Sequence, residues 1–61
     1  MSIKRVKDAA YARGMYFDGE KRWRNSMIGY GYEIYTPEGF FQADTLDGIY
    51  NVVMSFEKVE D

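Results

Sequence analysis

Residues 27–43, Met-Ile-Gly-Tyr-Gly-Tyr-Glu-Ile-Tyr-Thr-Pro-Glu-Gly-Phe-Phe-Gln-Ala, hold five of the chain's eleven aromatic residues and read as a β-hairpin around which the rest must be arranged. Even positions from Ile28 to Ile34 are Ile, Tyr, Tyr and Ile, while Gly29, Gly31 and Glu33 between them are small or charged, the period of a strand with one packed face. Pro37 fixes φ and Gly39 supplies positive φ, so Thr36-Pro37-Glu38-Gly39 is the expected loop. Loop length sets register, and a one-residue slip exchanges the faces of the sheet. A four-residue loop pairs Tyr35 with Phe40, Ile34 with Phe41, Glu33 with Gln42 and Tyr32 with Ala43. A three-residue loop with a glycine bulge pairs Tyr35 with Phe41 and Ile34 with Gln42, mixing polar with apolar. The pattern favours the first, which places Tyr30 and Tyr32 inward and leaves Tyr35 and Phe40 as the exposed aromatic pair.

A chain of 61 residues is expected to form one domain, residues 1–61. At this size only about 60% of the unfolded surface can be buried, so a single core is marginal. The chain has no cysteine and no histidine, which excludes disulfides and ordinary zinc sites. Dense aromatic packing, self-association or a partner must therefore supply stability. Charge is divided along the chain. Residues 1–30 carry a net +4 and residues 31–61 a net −6, with Lys58 the sole cation of the second half. No apolar run reaches signal-peptide or membrane-span length, and the expected location is cytoplasmic.

The spacing of Ile3, Val6 and Ala10 predicts a helix running to Arg13, capped by Ser2 and stopped at Gly14. Met15-Tyr16-Phe17, the Asp18-Gly19 turn and Glu20–Arg24 read as a short hairpin ending at Asn25-Ser26. In it Met15 and Phe17 point one way and Tyr16 the other; without it, residues 14–20 are a loop. Leu46, Ile49, Tyr50 and Val53 at i, i+3, i+4 and i+7 predict a second helix over about residues 45–57, capped by Asp44 with Asp47 in its first turn. Gly48 inside it invites close contact with the sheet. Residues 58–61 read as a frayed polar tail. The fold class is α+β: α-β(β)-β-β-α, an antiparallel sheet of three or four strands with two helices packed on one face.

Catalysis has little to work with. The usual nucleophile–base pairs need His or Cys, and Ser2, Ser26, Thr36, Thr45 and Ser55 have no base at motif spacing. The expectation is a chain that is not an enzyme and takes no cofactor, metal or small-molecule substrate. Two aromatic constellations remain. Ile28–Tyr35 resembles the β3 signature of the RNA recognition domain at Gly29, Tyr30, Gly31, Tyr32 and Tyr35, and the resemblance implies that Tyr30 and Tyr32 stack bases. It departs from that family at Ile28 and Glu33, and the chain is too short for the family's layout. Lys21-Arg22-Trp23-Arg24 combines an indole with cations, as single-stranded nucleic-acid binders do, although Trp23 packed inward among cationic stems is the ordinary use of such a strand. The element order is similar to that of the double-stranded RNA-binding domain, but Asp44 and Asp47 stand where that family is basic and would repel phosphate.

The leading expectation is a small interaction module that binds a protein partner or itself through exposed aromatic surface. Its interface would use Tyr35 and Phe40, with Asp47 and Glu57 meeting a basic partner. The small, aromatic-rich chain looks like accessory or inhibitor proteins encoded by phages and prophages. The second expectation is a single-stranded nucleic-acid binder using Lys21, Arg22, Trp23, Arg24, Tyr30 and Tyr32.

Overall fold

The computed structural model describes residues 1–23 and 29–59. Along them run α1 (Ile3–Tyr11), β1 (Arg22–Trp23), β2 (Tyr30–Thr36), β3 (Gly39–Ala43) and α2 (Leu46–Met54), the expected α+β order with three strands. The sheet is antiparallel in the order β1-β2-β3. In β2 and β3 the register is Tyr32 with Ala43, Glu33 with Gln42, Ile34 with Phe41 and Tyr35 with Phe40, as the aromatic pattern requires. The loop is tighter than expected, because Thr36 also pairs with Gly39 and leaves Pro37-Glu38 as the turn. The Thr36 hydroxyl holds that turn, donating to the Gly39 carbonyl at 2.9 Å and accepting from the Glu38 N–H at 3.1 Å.

Side chains alternate across a strand, so the register sorts the hairpin into two faces. Ile34 is buried, and Tyr32 and Ala43 pack around it. That side meets the helices. α2 lies against β2 and β3, α1 lies against α2, and Val6, Ala10, Ile49 and Val53 join Ile34, Met15 and Phe17 in one core. These are seven side chains, each large one contributing about 1.5–3 kcal/mol of burial. Phe17 is the one aromatic of the eleven in the buried core, and Tyr32, Tyr50 and Phe56 pack against it half-buried.

Capping decides where the helices stop. Ser2 Oγ accepts from the Arg5 N–H at 3.2 Å, as expected, but α1 ends at Tyr11, two residues short of Arg13. Gly14, at φ 75°, lets the chain leave the helix through the left-handed region. At α2 the expectation is corrected. Thr45, not Asp44, is the N-cap, its Oγ1 accepting from the Gly48 N–H at 3.1 Å, and the helix ends at Met54 instead of Glu57. A threonine cap places its acceptor as an aspartate would, so composition alone does not separate the two neighbours.

Among the described residues the hairpin expected over residues 15–24 does not form, and residues 14–20 follow the alternative expectation, a loop. Met15–Phe17 is irregular, although Met15 and Phe17 point into the core and Tyr16 points out, as alternation predicts. Asp18 instead makes a local turn, Oδ1 accepting from the Glu20 N–H at 2.9 Å. Arg22 and Trp23 pair with Gly31 and Tyr30 of β2, not with residues 15–17. The expected end of that strand at Arg24 and the Asn25-Ser26 turn lie outside the described residues, as do Met27, Ile28, Glu60 and Asp61. The frayed-tail expectation for residues 58–61 is corrected at Val59, whose N–H donates to the Ala12 carbonyl at 2.9 Å, and just before the tail Arg13 donates to the Phe56 carbonyl at 2.9 Å.

Candidate functional site: the uncovered face of the sheet

Opposite the helices, β2 and β3 present Glu33, Tyr35, Phe40 and Gln42. Tyr35 and Phe40 face each other across the strands with ring centroids 4.7 Å apart, tilted at 53°, an edge-biased contact suited to ring quadrupoles. They are 71% and 42% exposed. Tyr16, 79% exposed, shares with Tyr35 a groove of about 300 Å³ that Asp18, Arg22 and Glu33 also line. The surface is an aromatic centre with an ionic margin.

That margin is ordered by Arg22. Its guanidinium donates to Asp18 at 2.7 Å and Glu20 at 2.9 Å, and lies 3.3 Å from Glu33 Oε1 without hydrogen-bond alignment. The hydrogen bond from Arg22, with a second from the Glu20 N–H, holds the Asp18 carboxyl below the ordinary carboxylate range. The bond to Asp18 raises Arg22 in turn. Among the described residues Arg22 joins Asp18, Glu20 and Glu33, with Lys7 also acting on Asp18, and so ties the strand carrying Arg22 to the one carrying Glu33.

The other expected residues scatter. Asp47 sits in the first turn of α2, near Lys21, Tyr32 and Asp44, and Glu57 is exposed beyond the end of α2. Neither shares the face of Tyr35 and Phe40. Of the nucleic-acid set, Trp23 and Tyr30 pair edge to face at 5.5 Å and are 58% and 62% exposed, which corrects the inward placement expected for both. Tyr32 is half-buried against Phe17 at 6.0 Å, with Lys Nζ of residue 21 at 5.9 Å from its ring. Tyr30 and Tyr32 alternate with the uncovered face, so the base-stacking arrangement implied by the RNA recognition resemblance is not reproduced there. Arg22 is engaged by carboxylates, and Arg24 lies outside the described residues.

Tyr16 is the site residue that sequence reasoning missed. Its signal was present in the alternation of Met15, Tyr16 and Phe17, but nothing local linked it to Tyr35. A second concavity, of about 560 Å³, is lined by Tyr11, Ala12, Gly14, Met15, Tyr16 and Val59 and gathers no acid or base besides the two phenols. Among the described residues no cluster of His, Cys, Asp and Glu is placed to hold a metal ion, and no helix is long and apolar enough to cross a membrane. Comparison with protein-family models, curated proteins and solved structures finds no match.

Proposed function

We propose that this chain is a small non-catalytic interaction module that docks a protein partner on the uncovered face of its sheet. The observation carrying this reading is the exposed Tyr35–Phe40 pair on the side away from α2. Seven of the eleven aromatics are exposed, an unusual cost for a soluble surface and a common property of interfaces, where Tyr, Phe and Trp are enriched. Tyr16 extends the apolar centre, and the Arg22 cluster forms the polar margin that such interfaces have.

A photo-crosslinking amino acid placed at Phe40, and separately at Asn51 on α2, tests this in the cells that produce the protein. The expected result is an adduct of discrete mass from position 40 that disappears with Tyr35→Ser, and none from position 51. Equal adducts from both positions, or adducts from position 51 alone, would overturn the reading. The Trp23–Tyr30 pair supports a second reading, single-stranded nucleic-acid binding, since both rings are accessible for base stacking. It has fewer available cations than the sequence suggested.

A further inference from the structure

β3 is an edge of the sheet, and its backbone has unused capacity. The two-residue turn closes on the Thr36–Gly39 pair, so Thr36/Gly39, Ile34/Phe41 and Tyr32/Ala43 are the pairs that bond across to β2. The N–H and C=O groups of Phe40 and Gln42 consequently point away from β2. Among the described residues no backbone group meets them. Natural edges are usually blunted by a lysine, a proline, a bulge or a covering element. Gly39-Phe40-Phe41-Gln42-Ala43 contains no charge and no proline, pairs without a bulge, and is exposed over most of its length.

We propose that this edge accepts an extended segment of a partner protein as a fourth strand, and that the segment carries Lys or Arg on both sides of an apolar or β-branched centre. The inference rests on the partner-docking reading above and specifies how the partner is held. Charge selects the occupant. Glu38 and Asp44 flank β3 immediately, and Lys58 is the sole cation after residue 30. A second copy pairing antiparallel about Phe41 would set Glu38 of each chain opposite Asp44 of the other, like charges in directly opposed positions. A segment with basic flanks meets both carboxylates instead. Its alternate side chains would lie beside Phe40 on the uncovered face and beside Phe41 on the other, so backbone bonding supplies affinity and the two rings supply selectivity.

Selection of displayed random segments of about twelve residues against the full chain tests the proposal. The expected winners are net positive, with basic residues flanking alternating β-branched or aromatic ones. Their affinity falls about tenfold or more on a chemically synthesised chain N-methylated at Gln42, which removes one outward N–H and obstructs the edge without touching the bonds to β2. Glu38→Lys with Asp44→Lys, two exposed substitutions, reverses the charge preference and gives a second readout should the N-methylated chain fail to fold. Winners without positive charge, or no winners at all, overturn the proposal. Undiminished binding to a folded N-methylated chain overturns it too. If such binding is lost with Tyr35→Ser and Phe40→Ser, the docking face stands and the added strand falls. If it survives those substitutions as well, both fall.

Discussion

Gly48→Ala separates what helix chemistry alone expects from what the packing dictates. In an exposed helix the substitution stabilises by about 1 kcal/mol, because glycine spends more backbone entropy on becoming helical. Here α2 lies so close to β3 that a Cβ at residue 48 would sit 2.7 Å from the Ala43 Cβ, an atom with no rotamer to escape through. Relieving such an overlap by shifting helix or strand costs about 1–3 kcal/mol. The net expectation is a loss of roughly 0–2 kcal/mol, and each 1 kcal/mol lowers Tm by about 4–8 °C in a domain of this size. Ala43→Gly removes the obstructing atom, so in that background Gly48→Ala should turn stabilising. The coupling between the two sites should amount to about 1–3 kcal/mol. Thermal melts and urea titrations followed by circular dichroism measure all four species. A rise of about 4–8 °C for Gly48→Ala in the wild-type background would mean that α2 stands off the sheet. The assignment of its covered and uncovered faces would then be wrong.

Three further outcomes are expected. Thr45→Ala removes the acceptor for the Gly48 N–H and should cost about 1 kcal/mol, whereas Asp44→Ala should cost a few tenths at most; equal losses in urea titrations would mean that the cap is misassigned. The Asp18 carboxyl is depressed below 3.8, so its contribution is fully present above that value and is lost as pH falls through the folded-state pKa. Asp18→Asn should accordingly be less stable than wild type at neutral pH, with the gap closing under acid conditions; a gap independent of pH contradicts the Arg22 arrangement. A short oligonucleotide should leave Trp23 emission unchanged at about 0.15 M salt, because Arg22 is occupied by carboxylates. Quenching that Trp23→Ala abolishes would move the function to the Trp23–Tyr30 surface.

How far the sequence could be read depended on whether the signal was local or periodic. The β2–β3 register followed from matching apolar positions on two strands with a turn between them, a nearly local problem, and it names Tyr35 and Phe40 as the exposed pair. Val6, Ala10, Ile49 and Val53 likewise follow from helical spacing. The partner of β1 was not legible, because Asp18-Gly19 is equally at home in a hairpin and in the side-chain turn that Asp18 forms. Choosing between them depends on the non-local pairing of Arg22 and Trp23 with β2. Trp23 and Tyr30 defeated an argument from average burial, since the two rings pair with each other and stay mostly exposed instead of joining the core. The clustering of Tyr16 with Tyr35 and the approach of Glu33 to Arg22 are tertiary and have no sequence signature, whereas Asp18 and Glu20 are local partners, four and two residues before Arg22.

The uncovered face is tested most directly by backbone hydrogen exchange on the isotopically labelled chain, free and bound to the protein captured through position 40. Protection and shift changes should concentrate on Tyr16, Glu33, Tyr35, Phe40 and Gln42 and leave the exposed positions of α1 and α2 unaltered. Protection confined to the helices, with the amides of β2 and β3 unchanged, would contradict the assignment of this face as the interface.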